Sequence, residues 1–429
     1  MKATVQKLVV ALVMLCVAGM AKAAAPVADG DTLVYANVVY ETGSRYWKVL
    51  GHTLQPGCSE ADRRLDIVLF QLPGWMGDDG YPDHTYKAKI FQREAFANDT
   101  LVKEVSGADG WCESKAFYNT PNLEIYDISF DGVAFTMPDS VFMNSGLKQF
   151  LDFNQRYFGN SYFEGTSRLD SIRIEEIVAA GKNMFKDSGV RKAKIDRLSL
   201  SALPEGMFEN SRLETLDLWA SEVTGIGRRA FKNCRLAVAD NVLMGKVTTV
   251  ADEAFAESPL EEVAWPDGLK SIGARAFKST SLKEVRLSPV IESIGEGAFS
   301  DCQQLTAVYV MNPVPPAIVW DAAETSRRSL PLQAKVYVPD ANVNDYLADP
   351  AWKNYVIVGQ SESTGLGAVV SDGDAIRVEG GRIVAEGNIE VYTPDGRPVA
   401  TGYADELPAL PSGLYIVRTS AATAKIALR

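Results

Sequence analysis

Phenylalanine recurs through the middle of the chain at intervals of 21 to 25 residues, and this periodicity constrains the fold more than any other feature. Ten of the 17 phenylalanines belong to the series: Phe96, Phe117, Phe142, Phe163, Phe185, Phe208, Phe231, Phe255, Phe277 and Phe299. Such a period is typical of solenoids, in which each repeat buries its apolar side only against its neighbours. The sequence therefore predicts an array of about ten stacked repeats.

The residues around each phenylalanine repeat as well. The motif Ile-Gly-x-x-Ala-Phe occurs at residues 226–231, 272–277 and 294–299. The phenylalanine is followed by an alternating run of apolar and polar residues, such as Leu-Lys-Glu-Val-Arg-Leu at 282–287. Alternation of this kind predicts a strand with one buried face. Each repeat thus reads as a short strand plus a helical turn that carries Ala-Phe inward, which is the plan of a leucine-rich repeat.

The full pattern, Ile-Gly-x-x-Ala-Phe-x-x-Cys-x-x-Leu-x-x-Val-x-Leu, resembles the BspA-like leucine-rich repeat surface proteins of Bacteroidota. The resemblance covers about residues 86 to 360. It implies a leucine-rich repeat solenoid over 86–310, closed by a C-terminal cap over 311–360, and we take 24–85 as an N-terminal capping region. It also implies adhesion to host matrix proteins or to other bacteria.

The first residues predict export. Lys2 and Lys7 precede an apolar run over residues 8–20, and Ala-Lys-Ala follows at 21–23, so residues 1–23 read as a signal peptide. This segment holds three lysines and no acid, so its removal changes the formal net charge from −12 to −15. An acidic chain is a poor partner for nucleic acid. No later apolar stretch is long enough to predict a transmembrane helix.

The tail is predicted as a separate domain, a small β-sandwich over residues 375–429 that follows a linker over 361–374. Three short motifs lie in it: Gly-Gly at 380–381, Asp-Gly at 395–396 and Leu-Pro-Ser-Gly-Leu-Tyr at 410–415. They resemble the C-terminal sorting domain of type IX secretion. This resemblance implies that the secretion machinery is a partner and that the protein is at the cell surface or outside it, anchored there once the domain is processed. The alternative is a β-domain that only caps or spaces the solenoid.

No pattern predicts catalysis, a metal or a cofactor. His52 and His84 are the only histidines, neither lies in the repeats, and we interpret both as exposed or capping residues. Cys58 and Cys112 are candidates for a disulfide in an oxidising periplasm, and the alternative is that both are free thiols. Cys234 and Cys302 lie three repeats apart, about 14 Å at the usual strand spacing, which is too far for a disulfide.

The outward face of the repeat strands is the candidate binding surface, because alternate side chains on neighbouring strands form rows there. Cations cluster in the earlier repeats of this face, and carboxylates follow in the later ones. Such a surface suits an extracellular protein or glycan ligand. The candidate residues are Arg173, Lys192, Lys194, Asp217, Asp240, Glu262, Glu284, Arg286 and Tyr309.

These features predict a non-catalytic, exported cell-surface protein that binds macromolecules through its strand face as an adhesin. A carbohydrate-capturing or periplasmic scaffold protein is the alternative. A third hypothesis is an enzyme whose site lies in the N-terminal 60 residues and depends on His52 or His84.

Overall fold

The structure is a computed structural model in which the chain divides into two compact units, residues 1–334 and 335–429. The residues it describes are 30, 32–35, 37–41, 47–67, 89–108, 110–129, 137–152, 155–218, 222–239, 246–361, 376–379, 382–385, 388–393, 397–403, 407, 410, 413–419 and 423–428. The predicted signal peptide and residues 362–375, which include most of the predicted linker, lie outside the described residues.

The first unit begins with a five-stranded sheet. Its strands, in spatial order, are Thr32–Tyr35, Val38–Glu41, Trp47–His52, Lys89–Phe91 and Gly110–Cys112. The first three pair antiparallel, and the last two join them in parallel. Alternate residues of Trp47–His52 are buried, so one face of this strand packs against the core. The N-terminal region therefore covers the first end of the repeat array.

The repeat strands lie on one face of the array and pair in parallel. Arg64–Ile67, Glu104–Ala108, Ile125–Ser129 and Gln149–Phe150 form one sheet, Ser171–Ile177, Lys192–Leu198 and Thr215–Leu218 form the next, and Glu284–Leu287 pairs with Ala307–Val310. A single bridge between Val238 and Glu262 lies between the last two groups. We call this surface the strand face.

Two-residue strands run along a second side of the array and also pair in parallel. They are Tyr157–Phe158 with Ala179–Ala180, and then Ala202–Leu203, Gly225–Ile226, Thr249–Val250, Ser271–Ile272, Ser293–Ile294 and Ala317–Ile318. A 3-10 helix over Thr325–Arg327 follows.

The repeat phenylalanines form one continuous stack inside the array. Neighbouring ring centroids are 5.0 to 5.7 Å apart, and the rings are within 14° of parallel. All ten side chains are buried. Each ring packs against its neighbours in the stack, and one coil contributes one ring. The 21-to-25-residue period in the sequence therefore arises from this stack.

The predicted helical turn at each phenylalanine takes a more specific form. The residues two positions before and two positions after every repeat phenylalanine have φ between +52° and +72°. These positive-φ residues turn every second N–H of the segment toward the next coil. The Phe277 N–H, for example, donates to the Ala298 carbonyl at 2.8 Å. Backbone groups that a single helical turn would leave unpaired are therefore satisfied between coils.

The glycine of the Ile-Gly pair is required by close contact between coils. A Cβ atom on Gly227 would lie 2.4 Å from the Leu203 carbonyl oxygen, and one on Gly273 would lie 2.5 Å from the Asp252 nitrogen. Real Cβ atoms essentially never approach backbone this closely. Glycine is therefore required at this position of the motif, because two coils leave no room for a side chain there.

The second unit contains two sets of strands. Lys335–Val338 and Val356–Gly359 pair in parallel, and between them lie 3-10 helices at Asp340–Asn342 and Trp352–Asn354 and an α-helix at Val343–Ala348. Nearer the C-terminus, Ile376–Glu379 and Arg382–Ala385 form a hairpin, and Pro398–Tyr403, Asn388–Tyr392, Gly413–Arg418 and Thr423–Leu428 form a four-stranded antiparallel sheet in that order.

Ile383 of the hairpin joins residues of the four-stranded sheet in one small core. Ile389, Val391, Tyr415 and Val417 complete this buried cluster. The predicted leucine-rich repeat solenoid is confirmed, and the C-terminal region predicted as a small β-sandwich contains a small antiparallel sheet.

Candidate functional site

Strand pairing fixes two rows of outward side chains on the strand face. Ser171, Lys192 and Thr215 are partners in register, and Arg173, Lys194 and Asp217 form the second row. All six side chains are exposed, whereas the residues between them point into the core and are buried. Adjacent members of a row are about 4.8 Å apart because that is the spacing of neighbouring strands.

These rows line a depression of about 620 Å³, which we call the basic depression. Its cations are Lys148, Arg173, Lys192 and Lys194, and Asp217 is its only carboxylate among the described residues. A volume of this size is in the range of small-ligand sites. The structure thus brings together four of the nine candidate residues and adds Lys148, which precedes the alternating positions and so escaped the sequence pattern.

Carboxylates hold three of these cations in place, and the first of them, Lys148, lies 2.9 Å from Glu124. Arg173 lies 2.8 Å from Asp196, and Lys194 lies 3.1 Å from Asp217 and 3.5 Å from Asp196. The hydrogen bond from Arg173, followed by the charges of Arg173 and Lys194, lowers the pKa of Asp196 despite partial desolvation. The hydrogen bond with Asp217 and its charge raise the pKa of Lys194. Both groups stay charged at neutral pH.

Lys192 differs from its neighbours. Across the described part of the chain, no carboxylate oxygen lies within 4 Å of its ammonium group, and neither the Ser171 nor the Thr215 hydroxyl makes a hydrogen bond. The first row is therefore an exposed ammonium group between two exposed hydroxyl groups, none of which forms a hydrogen bond or a short ion pair within the described part of the chain.

A second depression, of about 510 Å³, lies farther along the strand face, and we call it the mixed depression. Glu262, Glu284 and Arg286 line it together with Trp265, which the alternation did not single out. Arg286 lies 3.2 Å from Glu284, and its guanidinium carbon is 4.3 Å from the centroid of the Tyr309 ring. Four candidate residues are thus neighbours here.

The carboxylates predicted on the strand face of the later repeats lie only partly within the described residues. Asp240 lies outside the described residues, so its place between Asp217 and Glu262 stays a prediction. Within the described ranges, the single Val238–Glu262 bridge is the only pairing on the strand face between the strands Thr215–Leu218 and Glu284–Leu287.

His52 occupies a structural position. Its Nδ1 accepts the Leu54 N–H at 2.9 Å, its Nε2 contacts the Asp99 carboxylate, and its ring stacks on Phe96 at 5.9 Å. His84 lies outside the described residues. Among those that are described, no group of three or more His, Cys, Asp or Glu side chains is arranged to hold a metal ion.

The possible disulfide between Cys58 and Cys112 is not formed in this structure. Cys112 ends the strand Gly110–Cys112 with its side chain in the core, and its Sγ lies 3.4 Å from the Tyr126 hydroxyl. Cys58 follows a turn closed by its own N–H and the Gln55 carbonyl, and it is half-buried. The two thiols therefore have separate surroundings.

The stacked coils, the parallel strand face and the buried phenylalanine column define a leucine-rich repeat protein. The family described as BspA type leucine rich repeat region matches in six copies over residues 85–178, 135–240 and 239–315, more than half of the chain. The chain belongs to this family, as the repeat motif predicted.

Three solved structures are similar to the chain. A leucine-rich repeat protein from Bacteroides ovatus ATCC 8483 is 19% identical, with a TM-score of 0.43 over 71% of this chain and 70% of that one. A leucine rich cell surface protein from Faecalibacterium prausnitzii A2-165 is 15% identical, with a TM-score of 0.37 over 79% and 96%. Pneumococcal vaccine antigen PcpA is 14% identical, with a TM-score of 0.33 over 77% and 98%. No curated protein matches the chain.

Proposed function

We propose that this protein is an exported, non-catalytic surface protein that binds an extracellular macromolecule through its strand face and acts as an adhesin for host matrix or for other bacteria. One observation carries the proposal: the basic depression holds four cations and one carboxylate in a chain of net charge −12. Cations outnumber carboxylates among the residues that line this depression, and such a lining favours acidic ligands.

The solenoid architecture supports binding because it presents a long, preformed surface on a rigid scaffold. The backbone of the strand face is held by parallel pairing in register, so little ordering is needed when a ligand binds. The polar side chains there are exposed rather than engaged in the core. The family to which the chain belongs supports the same class of function.

Export is proposed from the two ends of the chain. Residues 1–23 have the charge and apolar pattern of a signal peptide, and the C-terminal β-domain supports a sorting role with the secretion machinery as partner. In this proposal the protein reaches the cell surface or the extracellular space and is anchored after that domain is processed. Across the described residues, no helix has the length and apolar character needed to cross a bilayer.

Carbohydrate capture is the second candidate function, and the mixed depression favours it. Trp265 provides an aromatic surface beside the carboxylates of Glu262 and Glu284. Aromatic rings and carboxylates suit sugar rings because one packs on apolar C–H groups and the other accepts hydroxyl hydrogen bonds. A periplasmic scaffold would use the same surface without exposure on the cell.

The test is binding of the purified protein to immobilised matrix proteins, glycans and bacterial cells at low and physiological salt. Adhesin function predicts saturable binding that is lost in the Lys192→Glu, Lys194→Glu double variant, together with protease-accessible protein on intact producing cells. Protein found only inside the outer membrane would overturn the adhesin proposal in favour of the scaffold. Saturable binding to glycans alone that is retained in the double variant would favour carbohydrate capture at the mixed depression.

A further inference from the structure

We propose that the basic depression is a binding site for a carboxylate-bearing polysaccharide, with the row Ser171–Lys192–Thr215 as its central subsite. This inference rests on the proposed strand-face binding and names the ligand class. Lys192 would bind the sugar carboxylate, and the two hydroxyl groups beside it would hydrogen-bond to that carboxylate and to ring hydroxyls.

Side chains that form no hydrogen bond or short ion pair in the described chain identify the subsite. Lys148 is 2.9 Å from Glu124, Arg173 is 2.8 Å from Asp196, and Lys194 is held by Asp217. In the described chain, Lys192 is the one cation of the depression without a carboxylate within 4 Å. A charge-assisted hydrogen bond to an incoming carboxylate is therefore open to Lys192 at no loss of an internal ion pair.

The surrounding chemistry favours a glycan over an acidic protein segment. The centres of protein interfaces are anchored by aromatic side chains packed in apolar pockets. The six outward residues of the two rows include no aromatic or large apolar side chain. Hydroxyl, ammonium, guanidinium and carboxylate groups are all present instead, and these match the hydroxyl and carboxylate groups that a uronic acid displays on every ring.

The geometry also suits a chain molecule. The rows cross three neighbouring coils, and the cations extend back to Lys148 before the strand Gln149–Phe150. At about 4.8 Å per strand, the polar groups recur at short, regular steps along the solenoid. Asp196 and Asp217 form ion pairs with Arg173 and Lys194 beside this track. A short uronate oligosaccharide laid along the solenoid axis would meet a donor at each step.

The experiment measures binding of the purified protein to three uronate polymers, polygalacturonate, hyaluronan and alginate, with methyl-esterified polygalacturonate and poly-L-glutamate beside them. We expect at least one uronate polymer to bind and the methyl ester not to bind. Lys192→Glu should weaken binding by about tenfold or more, since a charge-assisted hydrogen bond becomes a repulsion. Lys353→Glu is the matched control, because Lys353 is exposed and lies in the second unit.

A second variant tests the hydroxyl groups without changing charge. Ser171→Ala combined with Thr215→Val should weaken uronate binding by about fivefold, and both positions are exposed, so folding is retained. Uronate binding that is unchanged in Lys192→Glu would overturn the site. Binding of poly-L-glutamate without binding of any uronate polymer would overturn the ligand class and point to an acidic protein segment.

Failure of this inference is distinguishable from failure of strand-face binding. The protein could bind none of the three uronate polymers and still bind matrix proteins, with that binding lost in the Lys192→Glu, Lys194→Glu variant. This result would overturn only the glycan assignment. A protein that binds neither polymers nor matrix nor cells would overturn both proposals.

Discussion

His52 and Asp99 join the N-terminal sheet to the first repeat. Nδ1 of His52 accepts the Leu54 N–H at 2.9 Å, so the proton of the neutral ring is on Nε2, which donates to the Asp99 carboxylate. Asp99 also accepts the backbone N–H groups of Leu101 and Val102, each at 2.8 Å. One carboxylate thus connects the strand Trp47–His52 to the turn after Phe96.

Replacing Asp99 with alanine is expected to lower the free energy of unfolding by about 1 to 3 kcal/mol, because three donors would lose a largely buried acceptor. Urea unfolding followed by circular dichroism measures this. Asp139→Ala provides the comparison at another carboxylate that accepts a backbone N–H but is exposed. Equal effects of the two substitutions would contradict a special role for the His52–Asp99 contact.

The same carboxylate predicts a pH dependence. Burial would raise the pKa of Asp99, but hydrogen bonds from His52 and from the Val102 and Leu101 backbone outweigh it and lower that pKa. The unfolded value is about 3.9. The stabilisation is therefore present above about pH 4 and is lost as the pH falls through the folded-state pKa. The stability difference between wild type and Asp99→Asn should shrink from pH 7 to pH 3; a constant difference would contradict this.

Gly273→Ala is expected to destabilise the solenoid by about 1 to 3 kcal/mol, as overpacking does. The added Cβ would lie 2.5 Å from the Asp252 nitrogen and 2.6 Å from the Ala251 carbonyl carbon, so two coils would have to separate. Gly268→Ala is the control, because a Cβ there has no neighbour within 4 Å. Thermal unfolding of both variants checks the prediction, and equal melting temperatures would contradict it.

The phenylalanine period and the alternation in each repeat were sufficient to predict the solenoid, because both patterns arise from contacts between neighbouring coils. Lys192 and Lys194 could be placed in one cluster for the same reason. Trp265 and Asp196 could not, since Trp265 follows a repeat that forms only a single bridge and Asp196 extends a strand beyond the six-residue pattern. The positive φ angles in the turns could not be predicted from the sequence either, because residues as different as Glu94, Arg229 and Asn233 adopt them.

The cysteines are expected to differ sharply in reactivity. Burial raises the pKa of Cys112 and Cys302, and it raises the pKa of Cys234 to about 11, so these thiols stay protonated and inaccessible. Cys58 is half-buried and should react. Iodoacetamide labelling of the native protein, read by peptide mass spectrometry, should modify Cys58 and spare Cys112, Cys234 and Cys302. A peptide that links Cys58 to Cys112 in the unreduced digest would instead reveal the disulfide.

Asp196→Asn is expected to strengthen binding of acidic ligands to the basic depression. Asp196 lies 2.8 Å from Arg173 and 3.5 Å from Lys194, so its carboxylate partly neutralises both cations. Asparagine keeps the size and hydrogen-bonding capacity of the side chain but removes the charge, which leaves the depression more positive. Because exposed ion pairs are weak, affinity should rise only about two- to fivefold at low salt, and the gain should shrink at physiological salt.

The matched control is Asp267→Asn, an exposed carboxylate elsewhere in the first unit that gives the same change in net charge. Binding isotherms for both variants at two salt concentrations separate a local effect from a general one. Equal gains would mean that net charge alone governs binding. A gain confined to Asp196→Asn would place the ligand beside Arg173 and Lys194, since only there does the removed carboxylate compete with it.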